Sequence, residues 1–385
     1  MRAPLIIIGS GLAGYNLVKE FRKHDPERAI IMLTADDGRQ YSKPMLSTGF
    51  SKGKDANGLA MNDAGAMADT LKIEIRTFQQ VSKIDADLKK VFVQDDVLEY
   101  SDLVLALGAE PIQLPIPGNE HLMHVNDLMD YHAFQQALLV DEEQDKKDVI
   151  VLGAGLVGCE YAHDLASAGF SVQLVAPEAQ PLARLVPTEC GEALMPALQE
   201  LGIKLHLELS ATAINKTSDG LEVTLNDGSV LKADVVLSAV GLRARTQLAK
   251  DAGLSVGRGI EVDRKLKSSD DHIYALGDCA QVAGLHLLYV LPLMNSARAL
   301  AKVLAGIDHQ LQYPVMPVMV KTPSLPIVTC PPADLDAGNW TLEGQTPHLQ
   351  ALFKDSGGNL LGYALTGDCV AEKMKLNKEL PVSWK

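Results

Sequence analysis

No cysteine stands before Cys159 in this chain, and the five present, Cys159, Cys190, Cys279, Cys330 and Cys369, include no Cys-x-x-Cys pair. Their odd number and wide scatter exclude a disulfide framework and point to a reducing environment. His121, His124 and His132 lack metal-ligand spacing as well, so no metal site is expected. Cations are also in short supply. The 35 Lys and Arg against 49 Asp and Glu leave a net charge of -14, which argues against nucleic acid as a partner, because neutralising phosphates takes clustered Lys and Arg. Long apolar runs are missing too: the stretch 287–304 is interrupted by Pro292, Asn295, Arg298 and Lys302 and reads as a buried helix, not a bilayer span. A strand entered at Leu5 leaves no room for a signal peptide, so a cytoplasmic protein without membrane insertion is expected.

What is present is α/β in character. In 385 residues, 47% of them hydrophobic, there is material for two or three domains. Apolar runs of strand length at 5–8, 29–33, 103–107, 149–152, 172–175 and 235–240 alternate with helical stretches, the pattern of buried parallel sheets. The most polar segment, 141–148 (DEEQDKKD), directly precedes one of these strands and marks the entry to a second fold.

An internal repeat is the most informative feature. Leu5-Ile-Ile-Ile-Gly-Ser-Gly-Leu-Ala-Gly14 and Val149-Ile-Val-Leu-Gly-Ala-Gly-Leu-Val-Gly158 each follow a strand, open a helix and lead to another strand. In such a loop the first glycine makes the turn, the second lets a diphosphate approach the backbone, and the third lets helix pack on strand; the diphosphate then meets the free N–H groups of the helix start. Two dinucleotide modules are therefore expected. The first offers Gly9, Ser10, Gly11 and Leu12, with Leu33, Thr34 and Asp36 at the end of the next strand, where an acid can bind ribose hydroxyls. The second offers Gly153, Gly155, Leu156 and Gly158, with Glu178 after the next strand and no Lys or Arg until Arg184, so NADH is expected over NADPH.

Leu103-Val-Leu-Ala-Leu-Gly-Ala-Glu-Pro111, Val235-Val-Leu-Ser-Ala-Val-Gly-Leu-Arg243 and Ile273-Tyr-Ala-Leu-Gly-Asp-Cys-Ala280 complete a motif order that resembles the pyridine-nucleotide flavoprotein reductase superfamily over nearly the whole chain. The resemblance implies two Rossmann-type, glutathione-reductase-like domains plus a small α/β C-terminal domain. It divides the chain into an FAD-binding domain at 1–112 and 243–307, an NAD-binding domain at 113–242 and a C-terminal interface domain at 308–385. Thr34-Ala-Asp-Asp-Gly38, Tyr41-Ser-Lys-Pro-Met-Leu-Ser47 and the compact C-terminal region are most similar to the rubredoxin reductases of bacterial alkane oxidation. That likeness implies FAD and NAD(H) as cofactors and rubredoxin as the iron-containing acceptor. A [2Fe-2S] ferredoxin or dioxygen as acceptor, and a redox-silent scaffold, stay open. Relatives with a thiol relay carry cysteine shortly after the first module; this chain has none there, leaving the flavin as sole redox centre.

The same resemblance assigns individual residues. Asp278 takes the acid position of the second FAD motif, accepting from a ribityl hydroxyl, and Val81 offers backbone groups to adenine. Lys43 and Glu160 are expected to interact near flavin N5 as the catalytic pair. Ferredoxin reductases often carry a second lysine where this chain has Thr48. Val290 opens a helix whose start faces the flavin, Lys321 is a cation near it, and Gly241 belongs to the NAD side. Lys321 and the polar run 373–378 are expected to ring the exposed flavin edge and steer the acceptor.

Overall fold

The computed structural model describes residues 3–139 and 147–382, so that of the polar run at 141–148 only Lys147 and Asp148 lie within the described residues. Leu5–Ile8 is buried at all four positions, which requires protein on both faces of its sheet. It occupies the centre of a five-stranded parallel sheet, between Ile30–Leu33 and Asp102–Leu105, with Glu74–Arg76 and Ile273–Ala275 outermost. The second glycine strand, Asp148–Leu152, sits at the centre of a second parallel sheet, between Ser171–Ala176 and Val235–Ser238, with Lys204–Leu207 and Leu122–Met123 outside. The sequence repeat is therefore a repeat of sheet position. Each sheet carries a three-stranded antiparallel annex, at 81–99 and 211–233.

Three helices are central to the architecture: α1 (Leu12–Phe21), α2 (Leu156–Ser167) and α3 (Val290–Leu304). Leu17, Val18 and Phe21 put an apolar stripe of α1 into the first core, where α1 packs against α3. Among the described residues no helix is long and apolar enough to cross a membrane. The chain crosses between the two sheets twice, and Ala109–Pro111 and Leu242–Ala244 pair antiparallel at the crossing. Residues 318–366 add a five-stranded antiparallel sheet that, with the helix Lys373–Glu379, forms the C-terminal part.

Two strands are shorter than their apolar runs. The runs 103–107 and 235–240 leave their sheets after Leu105 and Ser238. The reason is the adjacent glycine turn: a Cβ on Gly9 would stand 2.2 Å from the Ala106 carbonyl oxygen, and one on Gly153 would stand 2.7 Å from that of Ala239. At these strand ends the chain folds over the loop and becomes a wall of the cleft.

Candidate functional site

One cleft of about 1880 Å³ runs between the carboxyl ends of the two parallel sheets and the C-terminal part. That is where open α/β sheets place ligands. Gly9, Ser10, Gly11, Leu12, Leu33, Thr34, Asp36, Lys43, Val81, Asp278 and Val290 line it on the first sheet's side; Gly153, Gly155, Leu156, Glu160, Glu178 and Gly241 line it on the second's; and Lys321 lines it from the C-terminal part. Gly158 does not. A Cβ there would lie 1.8 Å from the Gly153 carbonyl oxygen, and one on Gly14 would lie 2.1 Å from that of Gly9, so these glycines seat helix on strand behind the loops. Gly11 and Gly155 are the opposite case, with nothing within 4 Å of a built Cβ. That open space beside the backbone is the room a diphosphate needs.

The helix starts agree. Helices that begin at Asp55, Asp63 and Asp127 have their first N–H groups taken by those carboxylates. α1, α2 and α3 start at Gly11, Gly155 and Tyr289 with no side-chain cap and no acid in the first turn, and all three starts face the cleft. Their free N–H groups and dipoles favour an anion there. Ser10 Oγ lies 2.9 Å from Thr34 Oγ1 and 3.0 Å from Asp36 Oδ1, tying the first loop to the end of the second strand.

Lys43 Nζ donates to Asn126 Oδ1 at 2.7 Å and lies 4.0 Å from Asp278 Oδ2. Asn126 is buried and held in turn: its side-chain amide donates to the Ala109 carbonyl and its backbone N–H to Asp130. Burial pushes the Asp278 carboxyl above the usual carboxylate range against the pull of Lys43 and His286, and pushes the Lys43 ammonium down against the pull of Asp278. At 4.0 Å the pair does not offset its own desolvation. Such a half-compensated pair suits a ligand that brings hydroxyls and phosphate oxygens.

Glu160, 3% exposed, pairs with Lys321 Nζ at 2.6 Å, accepts from Ser47 Oγ at 2.7 Å and from the Lys321 backbone N–H at 3.1 Å. The expected contact between Lys43 and Glu160 is thus replaced by two separate clusters. The turn Lys43–Thr48 is 3-10 helical but kinked at Ser47, whose φ/ψ of -89°/20° leave the helix, and Lys43 and Ser47 meet different neighbours. Lys321, its side chain 29% exposed where it lines the cleft, is committed to the buried Glu160 carboxylate; its Nζ also donates to Ser47 Oγ at 2.7 Å. Residues three and four apart share a helix face, so α2 turns His163 and Asp164 the same way as Glu160. His163 Nε2 accepts from the Ser324 N–H, and Asp164 accepts from the Phe50 and Ser51 N–H groups. One face of α2 therefore ties the second module to both of the other parts.

Asn126, Ser47, Arg245 and His286 escaped the sequence reading although all four line the cleft. Ser47 lay inside a motif read only for Lys43, and a lone Asn or Arg carried no signal. Glu178 meets Arg184 at 3.7 Å, the Arg184 side chain being 90% exposed, and both residues line the cleft. Burial lifts the Cys159, Cys190 and Cys279 thiols to about 12 and Cys330 to about 11. Thiolates are therefore scarce at neutral pH. Replacing all five cysteines by Ala or Ser is expected to leave turnover within about tenfold, apart from packing losses; loss of electron transfer with the fold intact would assign a cysteine to the relay.

Residues 3–300 match the family described as pyridine nucleotide-disulphide oxidoreductase, and residues 310–380 match the rubredoxin binding C-terminal domain. The chain is 53% identical to a rubredoxin-NAD(+) reductase of Alcanivorax borkumensis over 98% of both chains. It is 40% identical to one of Acinetobacter baylyi, again over 98% of both. Among solved structures it resembles a ferredoxin reductase from Rhodopseudomonas palustris with a TM-score of 0.87 and 25% identity, covering 98% of this chain and 95% of that one.

Proposed function

The chain belongs to the pyridine nucleotide-disulphide oxidoreductase family, and from that premise we propose that it is an FAD-dependent enzyme that carries electrons from NADH to rubredoxin. The observation that carries the proposal is a cleft in which two open glycine loops, three uncapped helix starts and part of the segment that matches the rubredoxin binding domain meet. We divide the chain as the motifs suggest, with FAD on 1–112 and 243–307, NAD on 113–242 and the acceptor on 308–385.

When bound, the flavin supplies chemistry that the side chains lack, taking two electrons together from NADH and releasing them singly to an iron centre. The chain holds and orients. Gly11 and the start of α1 hold the FAD diphosphate; Asp36 takes the adenosine ribose, Val81 the adenine and Asp278 a ribityl hydroxyl. Gly155, Leu156 and the start of α2 hold the NAD diphosphate, with Glu178 on the ribose and in the way of a 2′-phosphate. The start of α3 lends its dipole to the flavin's pyrimidine edge. Lys43 with Asn126, and Glu160 with Lys321 and Ser47, line the cleft as two polar clusters that would contact and orient the flavin when it is bound. Rubredoxin reduced in this way serves alkane hydroxylation in the cytoplasm; the support for this last step is the resemblance through Thr34–Gly38 and Tyr41–Ser47 together with the identity to rubredoxin reductases.

Stopped-flow mixing of the NADH-reduced protein with purified rubredoxin, and separately with a [2Fe-2S] ferredoxin, tests the acceptor. Rubredoxin is expected to be reduced faster. A preference for ferredoxin would transfer the reading to the structural relatives of that type.

Asp278→Ala gives a further expected result. Losing a charged hydrogen-bond acceptor costs roughly 1.5–3 kcal/mol, so FAD affinity should fall about ten- to a hundredfold. The cofactor-free protein should respond differently. The raised Asp278 carboxyl keeps a proton in the folded state that the unfolded chain has already released, so parent stability declines as pH rises from the usual carboxylate range through the raised value. Asp278→Ala should lack that decline. FAD titration and pH-dependent urea unfolding check the two halves; full FAD retention would remove Asp278 from the site.

A further inference from the structure

Beyond its diphosphate NADH carries no anion, yet an arginine stands beside the acid assigned to its ribose. Arg184 lies six residues past Glu178, and both side chains line the cleft. The segment between them is pinned at each end. The Glu178 carbonyl accepts from the Glu208 N–H at 3.1 Å, just past the strand Ser171–Ala176, whose last carbonyl accepts from the Leu209 N–H at 3.0 Å. At the other end Leu182 donates its N–H to the Ala154 carbonyl at 2.8 Å, inside the second glycine loop. The N–H groups of Leu185 and Val186 return to the Leu182 carbonyl, and all three side chains are buried. Arg184 is thus carried on a turn fastened to the loop assigned to the NAD diphosphate, and its guanidinium comes within 3.7 Å of the Glu178 carboxylate.

An ion pair of that length, with the guanidinium 90% exposed, contributes little and separates easily. Arg184 is therefore not committed to Glu178. A guanidinium presents a planar fork that meets a phosphate through two parallel hydrogen bonds. The two side chains consequently read a nucleotide in opposite senses. A carboxylate accepts from ribose hydroxyls and repels a phosphate at the same position, whereas a guanidinium gains a strong partner only when the phosphate is there. Glu208, which touches Glu178 through the backbone, is exposed and does not line the cleft.

We propose that Arg184 is a preformed site for the 2′-phosphate of NADPH, closed by the charge of Glu178. This rests on the reading of the second module as the NAD site. It makes the nucleotide preference a property of one acid: with Glu178 neutral, the same chain accepts the phosphorylated nucleotide without any new cation.

Calorimetric titration of the FAD-loaded protein with NADH, NADPH and adenosine 2′,5′-bisphosphate tests it. Glu178→Gln, similar in shape but uncharged, should bind NADPH at least about tenfold more tightly than the parent, a gain of about 1.4 kcal/mol, and NADH less tightly. Glu178→Ser takes its place if that variant does not fold. Adding Arg184→Ala should remove the gain, and Arg184→Lys instead should keep only part of it, since an ammonium lacks the fork. The gain should shrink as salt rises, because the guanidinium is exposed. Adenosine 2′,5′-bisphosphate should follow NADPH, which separates the phosphate contact from anything at the nicotinamide end. An unchanged NADPH affinity in Glu178→Gln overturns the inference, as does a gain that survives Arg184→Ala, which would make repulsion by the acid the whole of the discrimination. A parent that already binds NADPH as tightly as NADH overturns it too, since Glu178 then closes nothing. A parent that binds FAD but neither nucleotide overturns the reading of the second module, and this inference with it.

Discussion

Lys321→Met is expected to destabilise the protein by about 3 kcal/mol, the lower end of the range for removing one partner of a buried ion pair, because the ammonium is part exposed while the carboxylate left behind is buried. The substitution keeps the length and the apolar stem of the side chain, so packing is largely preserved. What changes is charge. Glu160, almost wholly buried, would keep its bonds from Ser47 Oγ and the backbone N–H at 321 but lose the ammonium at 2.6 Å. An unpaired carboxylate in that position costs far more than the pair itself contributes. The second substitution separates these quantities: Glu160→Gln added to Lys321→Met removes the stranded charge and should recover most of the loss, giving a strongly non-additive cycle. Urea unfolding of the four proteins measures it. A Lys321→Met protein within about 1 kcal/mol of the parent, or additive single effects, would mean that the pair is solvated and that α2 is not fastened to the C-terminal part through it.

Gly155→Arg should abolish NADH use while leaving the flavin in place. Nothing lies within 4 Å of a Cβ built at Gly155, so the chain tolerates a side chain there; what does not tolerate it is a diphosphate approaching the backbone. The affinity for NADH is expected to fall at least about a hundredfold, roughly 2.7 kcal/mol, with an unchanged flavin spectrum and FAD content. Gly158→Ala, three residues on, should fail by another route. Its Cβ would stand 1.8 Å from the Gly153 carbonyl oxygen, so α2 must move off its strand and take Glu160, His163 and Asp164 away from their partners. Loss of stability is expected there, with NADH affinity and folding failing together. Calorimetric titration of NADH beside thermal unfolding distinguishes the two. If Gly155→Arg binds NADH as the parent does, the second glycine loop is a structural turn.

The two glycine loops, each with the helix and strand that follow it, were legible in the sequence because each such unit depends on residues within about thirty positions of one another, and a missing early thiol is read directly from the residue order. A glycine where a helix start must meet a strand, a four-residue apolar run, a missing cysteine: these express constraints that the local backbone imposes wherever the chain goes. Almost every residue read as part of a nucleotide site lines the one cleft for that reason, and Gly158, which does not, performs the packing role expected of a third glycine. The runs at 103–107 and 235–240 exceed their strands because an apolar run records burial, not sheet pairing, and the cleft wall is buried as well.

Which charges meet was decided only by assembly. Glu160 and Lys321 are 161 positions apart, and nothing in the sequence near either names the other. Lys43 was the nearer and more plausible partner, yet the 3-10 turn that carries it sends its ammonium to Asn126 and Asp278 and leaves Ser47 for Glu160. Local sequence is enough to specify two nucleotide sites, since a tight turn and an uncapped helix start are properties of a few adjacent residues. The wiring between those sites belongs to the tertiary structure, because such an ion pair exists only once distant segments have been brought within a few ångströms of each other.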